Sequence, residues 1–446
     1  MTTVTRETPG FSSFSNPLSG AIEVPGDKSI SHRLVILSSI AIGRSNIKGI
    51  LKSDDIMKTI EAMKNFGASI EFTNPINCSI KGVGLGGLLE PESALDFGNS
   101  GTSARLIMGL SASHPITTIF VGDKSLSIRP MDRVLKPLVN FGSNYSLRKD
   151  NYLPAILKGS DNPIPFSFEL DEPSAQIKSA VLLGALNTPG VTTVKDKFNT
   201  RDHTERLLGL YGANINITKK RNVKTISIKG VNELKGVDLS VPGDPSSALF
   251  PIIAALICKN SDITVKNVLI NPTRDGAFKV LKDMGADISF LNNRIMAAEE
   301  VYDIRVKSSN LKGINIPRIL APTMIDDYPI LAVAASMAEG KTYFKGITEL
   351  RFKESDRFAG ILNLLEKNGV RVESKKDTII IHGKCELKKG GIKIETNLDH
   401  RMAMSAIIMG LVSKNEVKID NSETIKTSFP SFYNVMIKIG AKLSKK

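Results

Sequence analysis

The stretch Phe66-Gly67-Ala68-Ser69-Ile70-Glu71-Phe72, FGASIEF, reads as a helix end followed at once by a strand. A glycine just past a helix suits the left-handed C′ position, where a Cβ would clash. The alternation after it suits a half-buried strand. The same junction recurs as FGSNYSL (141–147), YGANINI (211–217), MGADISF (284–290), NGVRVES (368–374) and IGAKL (439–443). The glycines at 67, 142, 212, 285, 369 and 440 are separated by 75, 70, 73, 84 and 71 residues. The helix before each is amphipathic, as Phe358, Ile361, Leu362 and Leu365 illustrate.

A second helix family falls roughly midway in each interval. Its members are SISHRLVILSSIAIG, SGTSARLIMGLSASH, PSAQIKSAVLLGAL, DPSSALFPIIAALI, DDYPILAVAASMAEG and DHRMAMSAIIMGLVS. They are apolar nearly all round, which predicts burial. Five of the six have Ser or Asp at or near the start, the preferred N-cap types. Taken singly, each is accounted for as a capped core helix.

Six units with two helices and several short strands each predict an α/β protein of repeated units. A chain of 446 residues exceeds one ordinary core, and two domains of about 200 residues are expected. Three units per domain would make each domain pseudo-threefold. Its buried helices would be roughly parallel, with their amino ends facing one way. Such ends carry unsatisfied N–H groups and a partial positive charge. Two such faces meeting at a cleft would attract anions. A solenoid is the alternative, but the period exceeds the usual range of about 20 to 50 residues.

Hydrophobic residues make up 41 % of the chain and charged residues 23 %, an ordinary globular balance. The amino-terminal MTTVTRETPGFSSFSNP has no continuous apolar stretch and does not read as a signal peptide. No apolar run reaches the about 20 residues that a membrane helix needs. A cytoplasmic protein is expected. Cys78, Cys258 and Cys385 are scattered, which argues against a disulfide framework or a zinc knuckle. The five histidines show no metal-ligand spacing, and no metal is expected.

The net charge of +14 points to anionic partners. Nucleic acid is one candidate, but Trp is absent, aromatics are 6 %, and the basic residues are spread out. Small phosphorylated or carboxylated substrates fit as well. The chain has 41 Lys and 18 Arg, yet Arg33, Arg105, Arg129, Arg201, Arg274, Arg357 and Arg401 lie at or near expected helix starts. Arginine grips phosphate and carboxylate with a planar fork that lysine lacks.

Eight ordered motifs carry a resemblance: PGDKSISHR (25–33), GNSGTSAR (98–105), SIRPMDR (127–133), EPSAQIKSA (172–180), TRDHTER (200–206), DDYPILA (326–332), LRFKESDR (350–357) and LDHRMAM (398–404). From about residue 15 onward the chain resembles the 5-enolpyruvylshikimate-3-phosphate synthases. GDKS, SAQIK, RDHTE and NPTR (271–274) look like the class II branch. The resemblance implies the two-domain enolpyruvyl transferase fold, an inside-out α/β barrel with three βαβαββ repeats per domain. One domain would hold residues 1–25 and 245–446, the other 26–244, with crossings near 25 and 241–244.

Roles follow by resemblance, position by position. Lys28 contacts both substrates, and Ser29 and Arg33 bind shikimate 3-phosphate. PGDKS lacks the GK[ST] of a Walker A loop, and alone it reads equally as a turn before a capped helix. Gly101 lets the backbone approach phosphoenolpyruvate, in a turn shaped by Asn99 and Thr102. Many glyphosate-tolerant class II members have Ala at this position, so the resemblance does not imply tolerance. Ser174 and Ala175 bind the shikimate 3-phosphate group, Ala175 through its backbone. Gln176 lies between the substrates, and Arg201 pairs with the same phosphate. His203 is given no role. Arg129, Arg357 and Arg401 hold phosphoenolpyruvate. Lys426 lies beside the position of another family lysine.

The four charges of FKESDR (352–357) alone would read as a solvated helix start. The resemblance implies that Lys353 touches shikimate 3-phosphate, Glu354 handles protons and Asp356 caps or orients the helix. Asp326, which alone reads as a helix N-cap, matches the family's base and also binds shikimate 3-phosphate.

The implied reaction is carboxyvinyl transfer from phosphoenolpyruvate to the 5-hydroxyl of shikimate 3-phosphate, with release of phosphate. Asp326, Glu354 and Lys28 would be the acid–base set. No cofactor is expected, and the protein would act as a monomer without membrane or nucleic-acid partners. The rivals are a UDP-N-acetylglucosamine enolpyruvyl transferase, many of which carry a reactive loop Cys, and a basic nucleic-acid-binding protein.

Overall fold

All six junction glycines take positive φ, from 78° at Gly369 to 101° at Gly67, and each ends a helical segment just before a strand. They are seen in a computed structural model that describes residues 8–15 and 17–445. The first seven residues of the amino-terminal stretch lie outside the described residues.

The chain divides into two compact units. The terminal unit comprises Met1–Pro25, Pro242–Ile295 and Glu300–Lys446; the central unit comprises Gly26–Val241 and Met296–Glu299.

In the central unit, α1 (Lys28–Ser39), α3 (Gly101–Ser111) and α5 (Ala175–Leu186) are the mostly buried helices. They alternate with the two-faced α2 (Asp54–Asn65), α4 (Asp132–Leu138) and α6 (His203–Leu210). Each repeat builds a four-stranded sheet of one order: two parallel strands, then an antiparallel hairpin. In the second repeat Leu95–Asp96 runs parallel to Thr117–Val121, which pairs antiparallel with Tyr152–Lys158 and so with Asn144–Arg148. The third repeat copies this order. The first takes its edge strand, Leu239–Ser240, from the far end of the unit.

In the terminal unit the buried helices are α7 (Pro245–Ile257), α9 (Tyr328–Met337) and α11 (His400–Gly410), and they pack against one another. The partners are α8 (Gly276–Asp283), α10 (Arg357–Lys367) and α12 (Phe432–Lys438). Here too strands are lent across the sequence. Ser19–Glu23 lies parallel to Asp262–Leu269, and Gly10–Ser12 pairs with Val417–Ile419 and Leu443–Lys445. The middle sheet has three strands, and the parallel bridges Lys312–Glu339 and Asn315–Tyr343 stand where a fourth would run.

The apolar helices are interior because they have no polar face to give to water; all thirteen residues of α7 are buried. Helix approach demands small residues: a Cβ on Gly109 of α3 would lie 2.3 Å from the Ala180 carbonyl oxygen of α5. Each buried helix starts at a Ser or Asp cap: Asp27, Ser100, Ser174, Asp244, Asp327 and Asp399. Five of these side chains accept first-turn N–H groups, whereas Asp327 makes no such cap bond. The cap of α9 is thus Asp327, and Asp326 stands one residue outside it, a correction to the N-cap reading.

Candidate active site

In the central unit the expected residues gather at the starts of α1, α3 and α5. Ser100 caps α3, which makes Gly101 its first residue and Thr102 its second. A Cβ on Gly101 would lie 3.0 Å from Nη1 of Arg105 and 3.4 Å from Nη1 of Arg129. Arg129 donates to the side-chain oxygen of Asn99, and at 3.0 Å to the Ser125 hydroxyl. Arg105 donates to Oε1 of Gln176 at 2.7 Å, and Gln176 donates to the Thr102 hydroxyl at 2.9 Å. The Gln176 amide is therefore oriented at both ends, by residues of the neighbouring helix. Ser174 caps α5, placing Ala175 and Gln176 in its first turn.

Lys28 opens α1 and pairs with Asp55 at 3.0 Å. Ser29 follows, and its carbonyl accepts from Arg33 Nη1 at 2.9 Å. Arg33 is 5 % exposed and also donates to Thr204 and Ser179, at 2.7 and 2.9 Å. It thereby ties α1 to α5 and α6. Arg201 is partly exposed, two residues before α6. His203 is fully buried against Glu299 at 2.7 Å, with no exposure for a substrate.

In the terminal unit one guanidinium organises the expected residues. Arg357, the first residue of α10, is fully buried. Its Nη1 lies 3.3 Å from Asp326, its Nη2 2.5 Å from Glu354 and its Nε 2.8 Å from Asp399. Burial opposes its charge, but Asp399, Glu354 and Asp326 outweigh that and raise its pKa further. Asp399 is buried too, yet Arg357 holds it below the usual carboxylate range. Lys353 lies 3.6 Å from Asp326. Asp356 caps α10 by accepting from Ala359 at 2.9 Å. FKESDR is thus neither wholly solvated nor wholly buried: Phe352 is 72 % exposed, Arg357 not at all.

Arg401, second residue of α11, donates to Asp327 at 3.4 Å. Burial pushes the Asp327 carboxyl up despite Arg401. Arg274 donates to Ser246 at 3.1 Å and pairs with Asp244, the α7 cap. Arg129, Arg201, Arg274 and Arg357 all stand where a two-faced helix begins, in four successive repeats. Arg401 instead starts a buried helix, so the sequence expectation of three equivalent starts holds for Arg129 and Arg357 only. Lys426 is half-exposed and pairs with Glu423. Cys78 and Cys258 are buried; Cys385 is exposed.

Sequence reasoning gave no role to Asp55, Lys178 or Asp399. Lys178 did leave a signal, as the single charged residue in the otherwise uncharged α5.

A family profile described as EPSP synthase (3-phosphoshikimate 1-carboxyvinyltransferase) matches residues 13–436. The chain belongs to the EPSP synthase family. It is 48 % identical over 428 residues to the 3-phosphoshikimate 1-carboxyvinyltransferase of Parvibaculum lavamentivorans, covering 96 % of this chain and 95 % of that protein. It is 49 % identical over 438 residues to the enzyme of the same name from Chelativorans sp., covering 98 % and 97 %. The solved EPSP synthase of Acinetobacter baumannii superposes with a TM-score of 0.88 at 37 % identity, covering 98 % of this chain and 100 % of that one. The enolpyruvyl transferase NikO of Streptomyces tendae, 18 % identical, shares the fold with a TM-score of 0.78 over 99 % of both chains. Membership of this family favours the carboxyvinyl transferase reading over both rivals.

Proposed function

We propose that Asp326 and Glu354 are the proton-handling pair in carboxyvinyl transfer from phosphoenolpyruvate to the 5-hydroxyl of shikimate 3-phosphate. The observation that carries this is their arrangement on one buried guanidinium, Asp326 on Nη1 and Glu354 on Nη2 of Arg357. A fixed cation aims two neighbouring carboxylates at one place and joins them in a single proton-handling group.

The hydroxyl proton passes to one carboxylate as the oxygen bonds to C2 of phosphoenolpyruvate, and C3 takes a proton from another member of the Asp326, Glu354 and Lys28 set. The tetrahedral adduct then loses a C3 proton and its phosphate. Lys28 contacts both substrates and shares the proton work. Ser29, Arg33, Ser174, Ala175, Arg201 and Lys353 bind shikimate 3-phosphate, to which Asp326 also hydrogen-bonds. Asn99, Gly101, Thr102, Arg129, Arg357 and Arg401 take phosphoenolpyruvate, and Gln176 stands between the substrates. The incoming anion displaces Glu354 from the outer side of Arg357, which releases that carboxylate for proton transfer. The negative charge that builds on the departing phosphate oxygen meets preorganised guanidinium groups.

The protein is read as a cytoplasmic monomer with no nucleic-acid partner, supported by its ordinary composition and dispersed basic residues; no described helix is long and apolar enough to cross a membrane. Phosphate release assayed with both substrates together, and with each alone, tests the activity. Release only with both is expected. Wild-type turnover by Asp326→Ala combined with Glu354→Ala would overturn the assignment.

A further inference from the structure

Lys178 is fully buried, one turn into α5 from the Ser174 cap. A lysine ammonium has three protons to donate, and this one donates to Oδ2 of Asp196 at 3.1 Å and to the Thr200 carbonyl at 3.2 Å. A second carboxylate, Oε1 of Glu205, lies 2.7 Å away in an ion pair. Asp196 and Glu205 are buried as well, at 0 and 2 % exposure.

All three groups lie in or beside one loop. Asp196 ends the strand Val191–Asp196, and Glu205 lies in the first turn of α6. Between them, Asp196 accepts from the backbone of Phe198 and Thr200, both at 2.9 Å, and from the Thr200 hydroxyl at 2.7 Å. Asn199 takes φ +53°, which closes the turn. The residue after Thr200 is Arg201. The neighbour of Lys178, Ser179, bonds to Thr204 at 2.7 Å, next to Glu205. The start of α5 and the Arg201 loop are thus joined through one ammonium.

We propose that Lys178 is a positioning residue that locks the Arg201 loop against the start of α5 and so sets the affinity for the phosphate of shikimate 3-phosphate. Being sealed from solvent, it touches no substrate. Its effect passes through Thr200 to Arg201, and the inference rests on the reading that Arg201 holds that phosphate.

The test is steady-state kinetics on the full-length enzyme. Lys178→Met raises KM for shikimate 3-phosphate about tenfold while kcat and KM for phosphoenolpyruvate stay within about threefold. In an Arg201→Ala background the same change adds nothing further to KM, because the two act through one contact. Should Lys178→Met fail to fold, Lys178→Met with Glu205→Gln, which removes one charge of each sign, gives the same kinetic split. A fall in thermal midpoint with unchanged KM would make the lysine structural only and overturn the proposal. If Arg201→Ala raises KM but neither Lys178 variant does, the positioning role fails while the site reading stands. If Arg201→Ala itself leaves KM unmoved, the site reading fails and this inference with it.

Discussion

Arg357 and Asp399 are paired at 2.8 Å with neither side chain reaching solvent. Asp399 also accepts from the backbone of Arg401 and Met402, at 2.9 and 3.3 Å. One carboxylate therefore fixes the first residue of α10 and caps α11. Truncating Asp399 leaves a buried guanidinium short of a counter-charge, and removing one member of such a pair costs about 3–5 kcal/mol. Asp399→Ala should lose that much in urea unfolding, and Asp399→Asn less, since an amide still caps the helix. Equal, small losses in both variants would show that the pair does not hold these helices.

Asp326 is one-fifth exposed, whereas the arginine beneath it is sealed. Replacing its charge should spare the fold and strike turnover. Asp326→Asn lowers kcat by about 10²–10⁴-fold, as loss of a general base does, and raises KM for shikimate 3-phosphate, to which it also hydrogen-bonds, while KM for phosphoenolpyruvate changes little. Glu354→Gln lowers kcat likewise. Turnover within twofold of wild type, by rapid-quench or coupled phosphate assay, would remove Asp326 from the chemistry.

Gly101 starts α3, and a methyl there would press on the guanidinium end of Arg105 at 3.0 Å and only touch that of Arg129 at 3.4 Å. Arg105 offers the far end of a flexible side chain, so the fold should survive. Its displacement should loosen Gln176, to which it donates, and so weaken the binding proposed for that residue. Gly101→Ala is expected to raise KM for phosphoenolpyruvate about tenfold, a shift of about 1.4 kcal/mol, with an unchanged thermal midpoint. An unchanged KM would mean that the Arg105–Gln176 contact does not set the affinity for this substrate.

His32 is fully buried, with Nδ1 2.7 Å from the Thr59 hydroxyl. Burial, then the charges of Lys28 and Arg33, hold its pKa well below 6.5, against the pull of Asp27. Below pH 6.5 the unfolded chain binds a proton that the folded chain refuses. This contribution to stability is complete above that pH and is lost as pH falls toward the folded-state pKa. Urea midpoints taken at about pH 7.5 and about pH 5.5 should therefore fall less for His32→Asn than for wild type. Identical falls would show that His32 titrates alike in both states.

Much of the fold was legible from the chain alone, and one reason covers most of it. A left-handed glycine and a Ser or Asp cap answer demands raised by the backbone within three or four residues. The six glycines and five of the six capped starts could therefore be recognised in place. The lent strands could not, because Leu239–Ser240 beside Arg44–Lys48 and Gly10–Ser12 beside Val417–Ile419 are pairings across long separations. Of the candidate site, the arginines stood out against a lysine-rich background. Their partners did not: Asp399 lies 42 residues from Arg357, and Gln176 lies 71 from Arg105.

The amino-acid sequence by itself determined the repeat, the caps, the apolar helices and which helix starts carry guanidinium groups, since all are set by local backbone geometry and side-chain type. Only the tertiary structure decided that Asp327 rather than Asp326 begins α9, that Asp326 and Glu354 share Arg357, and that Lys178 is closed in by Asp196, Thr200 and Glu205. Those outcomes depend on burial, which strips water from a charge and forces it to find partners wherever the folded chain brings them.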